Sequence, residues 1–458
     1  MKICNRIKKK FRRKLAAILV AGMMAFSVGT TSVNAADVIN ITLDETIQRA
    51  FENNRNIKES VAEREQAYWS LSEARRQANP QISWSLNAQR FGGDAYRDYT
   101  YHNAFSHTAA INIPIYQGGR LKEGRKYARW GLSNADLSLE DTMQTVRLQS
   151  TIYYFNVLQY RNLIEVYEEE VVTLQEHLRN VNAQFRVGTV AKVDVLESQV
   201  ELANAQQNLV NIQNQYDVAV AELNNYIGLP ADTIIRPQDT LTYKKYNLDL
   251  GDCTAYALEN RADAAMADYA VKQAESNKRS AKAGWRPSVS GSVSKGFTHE
   301  HLFSGKLSDQ WAAGISASWN IFDSGVTRAQ VESAKVEVDR LKLAMNADLD
   351  SVHNDVVAAH KNLRIALLRL TTTQRAVELA EEERFIATER YNVGEGILLD
   401  ILDAENALVT AKKNNVSARY DVIRYSFDLA HAAGNTLKAL AVANADIERG
   451  EQLITSTS

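Results

Sequence analysis

Proline is scarce in this chain of 458 residues, and its placement leaves two long stretches without a helix breaker. The five prolines are Pro80, Pro114, Pro230, Pro237 and Pro287. None falls within residues 115–229, and none follows residue 287. Because proline ends or kinks a helix, both stretches are free to form very long helices.

Cysteine and long apolar runs are also rare. Only Cys4 and Cys253 are present, and the one long apolar run, residues 15–28, follows a cluster of Lys and Arg and precedes small residues. This is the pattern of a secretory signal peptide, which we predict at residues 1–35, with cleavage after Ala35 or Ala36. Since Cys4 leaves with the signal, no intramolecular disulfide is expected.

The chain has no excess of positive charge and no catalytic motif. Without the signal it has 45 basic and 55 acidic residues, which argues against nucleic acid as a partner. No P-loop, GxGxxG, HExxH or GxSxG motif occurs, so we predict no enzymatic activity and no cofactor. His299 and His301, like His353 and His360, are interpreted as solvated polar residues, and no metal site is predicted.

The sequence instead contains two copies of one unit. Landmarks recur 207 or 206 residues apart: Ala50 to Asn53 with Ala257 to Asn260, Pro80 with Pro287, Val187-Gly188 with Val393-Gly394, and Asp194 with Asp400. Such spacing indicates a duplication. We predict a first repeat at 36–228, a linker at 229–250, a second repeat at 251–434 and a C-terminal tail at 435–458.

Each unit is predicted to contain a long helical hairpin. Apolar residues from Leu202 to Tyr226 recur at alternating steps of three and four, which is a heptad seam. A helix from Leu121 to Val187 would be about 100 Å long. Gly188 and Gly394 supply the left-handed residues that end the first helix of each hairpin.

Each unit also contains two predicted strands. Apolar residues alternate with polar ones around Ile82 to Ala88, Ile111 to Ile115, Val289 to Val293 and Ile315 to Ile321, with polar loops at 91–103 and 297–310. Runs of about ten alternating residues suffice for tilted strands to cross a bilayer. Four strands cannot close a barrel, so other chains must complete it, as eight strands from two copies or twelve from three.

Particular residues carry a family resemblance. The segments from Phe185 to Leu196 (FRVGTVAKVDVL), from Tyr391 to Ala404 (YNVGEGILLDILDA) and from Ile115 to Gly119 (IYQGG), together with the duplication, resemble the TolC family of outer-membrane efflux proteins. The resemblance implies a mainly α fold with a β membrane part. In it, a homotrimer forms a 12-stranded β-barrel, four strands per chain, continued by a long α-helical barrel of coiled-coil hairpins.

The implied function is that of an outer-membrane exit duct with a long periplasmic extension, which passively conducts small molecules or secreted proteins. Its partners would be outer-membrane lipid, a periplasmic adaptor protein and an inner-membrane RND or ABC transporter. The adaptor-docking tips would then lie at the two hairpin turns, namely Val187, Gly188 and Thr189, and Val393, Gly394 and Glu395.

The same resemblance implies a gate and a latch. Asp400 and Asp403 would form a ring of carboxylates at the periplasmic constriction, and such a ring would favour cations. Tyr391 and Asp194 match the family's latch between hairpins, but Gly396 stands where the family has a basic residue. The alternative function is a secreted coiled-coil scaffold or adhesin without a pore, and the sequence does not separate efflux from type I secretion.

Overall fold

The computed structural model describes residues 38–94, 103–240, 249–299 and 308–434. The predicted signal peptide and the predicted tail after residue 434 lie outside the described residues. Within the described ranges, no helix combines the length and the apolar character that crossing a membrane requires.

Helices form most of the chain, and they repeat in the same order in each half. The first half has α1 (Leu43–Asn53), α2 (Arg55–Arg76), α3 (Arg120–Val187) and α4 (Lys192–Ile227). The second half has α5 (Leu250–Asn260), α6 (Ala262–Ala281), α7 (Val326–Asn392) and α8 (Leu398–Ala432). The predicted helix from Leu121 to Val187 is confirmed to within one residue, and the glycine that ends it is discussed with the tips below.

Two sheets accompany these helices. The strands β1 (Ile39–Ile41) and β4 (Ile235–Pro237) pair in parallel. A larger antiparallel sheet contains β2 (Gln81–Arg90), β3 (Asn103–Gln117), β5 (Ser288–His299) and β6 (Ser308–Ser318), in the order β2-β3-β5-β6. The four predicted membrane strands are therefore confirmed as one continuous sheet, in which β3 and β5 join the two halves of the chain.

Some predicted strand boundaries were wrong. Residues 297–299 and 308–310 were assigned to a loop, but they continue β5 and β6 because their backbones remain in the ladder. Conversely, Trp319 and Ile321 lie beyond the end of β6 at Ser318. There the Trp319 indole donates a hydrogen bond to the carbonyl oxygen of Trp285 at 3.1 Å. The short β1 and β4 were missed because three residues are too few to show a period.

The largest apolar core lies where the small parallel sheet meets the long hairpin of the first half. Its fully buried members include Tyr154, Leu158, Leu223 and Ile227. The Tyr154 hydroxyl donates to Oδ2 of Asp239 at 2.5 Å, and it lies 3.1 Å from the carbonyl oxygen of Ile41. This contact ties the linker and the N-terminal strand to the middle of α3.

A matched contact closes the base of each helical hairpin. Asn54, between α1 and α2, donates from Nδ2 to the carbonyl oxygen of Tyr226 at 3.3 Å. Arg261, between α5 and α6, donates from Nη1 to the carbonyl oxygen of Ala432 at 3.3 Å. These residues occupy equivalent positions of the two repeats. In each half, the residue at the kink between short helices therefore holds the last turn of the returning helix.

Candidate functional site: the sheet faces and the hairpin tips

One face of the four-stranded sheet is apolar. Residues directly opposite each other in an antiparallel ladder project to the same side, so the register sorts every side chain. Ile82 is paired with Ile111, Ile111 with Val293, and Gly291 with Ile315. This face also carries Trp84, Leu86, Ile113 and Trp311. It suits contact with lipid hydrocarbon.

Among the described residues of a single chain, nothing covers the most exposed part of this apolar face. Ile82 is 79% exposed, Trp311 is 77% exposed and Ile315 is 75% exposed. Exposure of this extent on one contiguous face is costly in water, and it marks a surface that contacts lipid or protein. The apolar face is therefore a candidate membrane-facing surface.

The opposite face of the sheet is polar. It carries Gln81, Ser83, Ser85 and Asn87 of β2, for example, and Ser290 and Ser316 of β5 and β6. The hydroxyl oxygens of Ser290 and Ser316 lie 3.0 Å apart, within hydrogen-bond distance. Strands with one apolar face and one polar face are typical of a membrane barrel with a water-filled interior.

Both edges of this sheet are open. Among the described residues, β2 pairs only with β3, and β6 pairs only with β5. Unpaired N–H and C=O groups would each cost several kcal/mol in lipid, so both edges must pair with strands of other chains.

The tips of the two hairpins share a backbone turn. Gly188 has φ 82° and Gly394 has φ 82°, so each adopts the left-handed conformation that glycine accepts without strain. The Thr189 amide donates to the carbonyl oxygen of Gln184 at 3.0 Å, and the Glu395 amide donates to that of Arg390 at 2.8 Å.

Apolar side chains project from both tips. Val187 is 74% exposed and Val393 is 68% exposed. The two tips lie at the same end of the molecule, since Leu398 and Leu402 of the second hairpin pack with Val181 and Val195 of the first.

Asp400 and Asp403 lie at the start of α8, and both are exposed in the single chain. Oδ2 of Asp400 accepts a hydrogen bond from the amide of Ile397 at 3.4 Å and so caps the helix. Asp194 plays the equivalent part in α4, where its Oδ2 accepts from the amide of Ala191 at 2.9 Å. One chain does not bring the two acidic residues of α8 against each other across a pore. A ring of carboxylates requires further copies.

The hairpins are joined at Tyr391, but not through the predicted partner. The Tyr391 hydroxyl donates to Oε1 of Gln184 at 2.9 Å, whereas Asp194 caps its own helix. Burial raises the pKa of Tyr391, and the negative charge of Asp194 raises it further. The aspartate therefore lies near the tyrosine without accepting its hydrogen bond, and Gln184 provides the direct contact.

Gly396 has a geometric role at the second tip. A Cβ atom at this position would lie 3.0 Å from the backbone nitrogen of Tyr391 and 3.2 Å from the carbonyl carbon of Arg390. Both distances are tighter than ordinary packing, so a larger side chain would displace the turn. A basic residue would fit at this position only if the turn shifted.

Three titratable residues at the contact between the hairpins, one half-buried and two buried, were not predicted from the sequence. His177 lies against the Tyr391 ring, with 6.5 Å between the ring centroids, and burial lowers its pKa. Burial raises the pKa values of Glu170 and Glu405. Glu170 and His177 are one heptad apart on α3, and that spacing on a heptad seam is the signal that could have identified them.

Comparison with known proteins assigns the family. The model of the outer membrane efflux protein family matches residues 46–229 and 255–435. This chain belongs to that family. The two matched segments fall one in each half of the chain, and together they include both hairpins and all four strands of the larger sheet.

Individual relatives agree with this assignment. The outer membrane protein TolC of Escherichia coli (strain K12) is 24% identical over 461 residues, which cover 94% of this chain and 89% of the relative. The alkaline protease secretion protein AprF of Pseudomonas aeruginosa is 20% identical over 398 residues, covering 82% of this chain and 80% of the relative. The crystal structure of the Campylobacter jejuni CmeC outer membrane channel matches with a TM-score of 0.77 at 18% identity. That match covers 89% of this chain and 88% of that one, and it shows the shared fold.

The protein is therefore an outer-membrane exit duct of a tripartite export system, and it lies in the outer membrane with a helical periplasmic extension. The alternative of a coiled-coil scaffold or adhesin without a pore is wrong, because it does not account for the family or for the membrane-facing sheet. The family and the relatives are those of a channel-type transport protein.

Proposed function

We propose that three copies of this chain close a 12-stranded barrel by pairing β2 of one copy with β6 of the next. The observation that carries the proposal is the single four-stranded sheet with opposite apolar and polar faces and two open edges. Three copies leave a lumen, whereas eight strands from two copies would enclose mostly side chains. The long hairpins α3–α4 and α7–α8 continue that lumen into the periplasm.

The periplasmic end is the gated end in this proposal. Three copies supply six carboxylates from Asp400 and Asp403, which lie three residues apart on one face of α8. Such a ring attracts cations and repels anions. The contact of Tyr391 with Gln184 holds the second hairpin against the first, and its release widens the end.

The exposed tips are the surface that a periplasmic adaptor contacts. Val187, Gly188 and Thr189 form one tip, and Val393, Gly394 and Glu395 form the other. An inner-membrane RND or ABC transporter linked through the adaptor supplies the energy, since the duct itself is passive. The name of AprF describes protein secretion, whereas the name of the matched family describes efflux. Identification of the adaptor that docks on the tips would distinguish these two classes of cargo.

Planar-bilayer recording tests the gate. Asp400→Asn with Asp403→Asn is expected to raise single-channel conductance severalfold and to weaken cation selectivity. The matched control is Asp232→Asn with Asp252→Asn, which removes the same number of exposed carboxylates from the linker and α5. Unchanged selectivity in the first double variant would remove the gate assignment.

Site-specific photocrosslinking tests the tips. A photoreactive residue at Thr189 or at Glu395 is expected to capture the adaptor in intact cells, whereas the same residue at Asp232 is not. Capture at the linker position alone would place docking elsewhere.

A further inference from the structure

The polar face of the four-stranded sheet has no charged side chain among the described residues. The register places the following residues on it: Gln81, Ser83, Ser85, Asn87 and Gln89 of β2; Ala104, Ser106, Thr108, Ala110, Asn112, Pro114 and Gln117 of β3; Ser288, Ser290, Ser292, Ser294, Gly296 and Thr298 of β5; and Gln310, Ala312, Gly314, Ser316 and Ser318 of β6. None is aromatic, and none is larger than glutamine. The face thus consists of hydroxyl groups, carboxamides and small aliphatic residues.

Charged residues are sorted to the other face rather than absent from the strands. Arg90, Lys295 and Asp309 all lie on the apolar face, in the half of the sheet nearest the hairpin loops. Nζ of Lys295 lies 3.3 Å from Oδ2 of Asp309, so two of the three neutralise each other. Since 24% of the chain is charged, a face of this size would carry about five charges if composition alone decided.

An uncharged lining has an electrostatic consequence. Fixed charges on a pore wall set the local concentration of small ions and thereby select the sign of the charge that passes. Hydroxyl and carboxamide groups donate and accept hydrogen bonds equally well, so they hydrate cations and anions without preferring either. The second hairpin tip differs from this lining, because Glu395, Asp400 and Asp403 give it fixed negative charge.

We propose that the strand-lined part of the lumen is indifferent to the charge of its cargo, so that hydrated solutes and polypeptides of either sign pass it equally. Selection by charge is confined to the helical part of the duct. This inference rests on the proposed function, since it requires the polar face to line a water-filled lumen. Beyond the proposed function, the inference specifies the part of the duct in which selection by charge occurs.

The rates at which charged reagents modify single cysteines measure the potential at each position. Ser85→Cys and Ser292→Cys, made one at a time, place a thiol on the polar face of β2 or of β5. Cys253 is buried, so the parent chain provides an unreactive background. Each variant, reconstituted in lipid, is treated with a cationic and with an anionic methanethiosulfonate, and the ratio of the two rates is compared with that of a free thiol.

The expected ratio at both positions is within about twofold of the free-thiol value, because no fixed charge biases either reagent. Thr108→Asp combined with Ser85→Cys is the sensitivity control, because Thr108 lies directly opposite Ser85 in the ladder, and it should favour the cationic reagent. Leu399→Cys, beside the acidic pair, should favour that reagent by about tenfold.

Two results overturn the inference in different ways. In the first, the rate ratios at Ser85→Cys and Ser292→Cys depart from the free-thiol ratio as far as the ratio at Leu399→Cys does. The barrel would then select charge, although the polar face would still line a water-filled duct. Failure of both reagents to modify either cysteine, while the denatured proteins react, would show that the polar face does not line water. In that case the proposed function fails as well.

Discussion

The two helical hairpins have nearly the same backbone but different chemistry at their tips. α3 has 68 residues and α7 has 67, while α4 has 36 and α8 has 35. The first tip carries Arg186, Lys192 and Asp194, whereas the second carries Glu395, Asp400 and Asp403. After the duplication, the requirement for an antiparallel turn preserved the glycines, and the exposed positions around them were free to diverge.

The hairpin bases differ in the same way. Asn54 and Arg261 make equivalent contacts with the returning helix, yet Arg261 also pairs with Asp263 at 2.6 Å and with Asp355 at 3.2 Å. The second hairpin is therefore anchored by charge and the first by neutral hydrogen bonds. Substitutions at equivalent positions of the two hairpins test which contacts stabilise both hairpins equally and which stabilise only one of them.

The largest difference is expected at the bases. Arg261→Ala leaves two carboxylates without their partner and should cost about 2 to 3 kcal/mol. Asn54→Ala removes a helix cap and one hydrogen bond to Tyr226 and should cost about 1 kcal/mol. Urea unfolding measures both. Arg340→Ala, which breaks an exposed ion pair with Glu337, is the control and should cost less than about 0.5 kcal/mol. Equal losses at the two bases would contradict the asymmetry.

The glycine turns are expected to behave alike. Gly188→Ala and Gly394→Ala each force alanine into the left-handed region and should each cost about 1 kcal/mol in urea unfolding. A Cβ atom meets no neighbour within 4 Å at either position, so the cost is conformational. Gly92→Ala is also in open space, without a positive φ, and should be close to neutral. A clear inequality between the two tips would show that the turns are not equivalent.

The contact between the hairpins should respond to loss of one hydroxyl group. Tyr391→Phe removes the hydrogen bond to Gln184 and should weaken the contact by about 1 kcal/mol. Hydrogen exchange should accelerate in the last turns of α7, and openings in bilayer recordings should become more frequent. Tyr68→Phe, on the exposed surface of α2, is the matched control. Unchanged exchange at Tyr391→Phe would mean that apolar packing alone joins the hairpins.

The smallest expected effect is a dependence on pH. Burial lowers the pKa of His177 below 6.5, so the open form takes up a proton before the closed form does. The contact should therefore weaken as pH falls below 6.5, until the closed form also becomes protonated. Opening frequency of the wild type should rise over this range, while that of His177→Gln should not rise.

The buried carboxyl groups act with the opposite sign. The pKa values of Glu170 and Glu405 are raised in the closed form. Their contribution to the stability of the contact is therefore present at low pH, and it is lost as pH rises through those raised pKa values. Glu170→Gln removes part of that opposing trend and should make the histidine effect easier to see. If opening in Glu170→Gln is independent of pH, His177 has no part in gating.

Much of the fold could be predicted from the sequence because its elements are long and strongly periodic. The heptads of α4 identify a helix, and their members Ala205, Ile212 and Leu223 are indeed buried. The alternation in β2 assigns the faces of the sheet. The ends of β5 and β6 were harder to predict, because polar residues near a loop remain in the ladder without an apolar partner to reveal it.

The candidate site was less predictable because it depends on contacts between the repeats. The resemblance identified Tyr391, but nothing local in the sequence indicates that Gln184 accepts its hydrogen bond, since the two residues are 207 positions apart. The close approach of Gly396 to the end of α7 likewise depends on the folded turn.

The central claim, that four strands per chain close a barrel only with two further copies, is tested most directly by native mass spectrometry of the protein extracted from outer membranes in detergent. We predict a complex of three chains. A monomer or a dimer, or recovery of the protein only from the soluble periplasmic fraction, would contradict the claim.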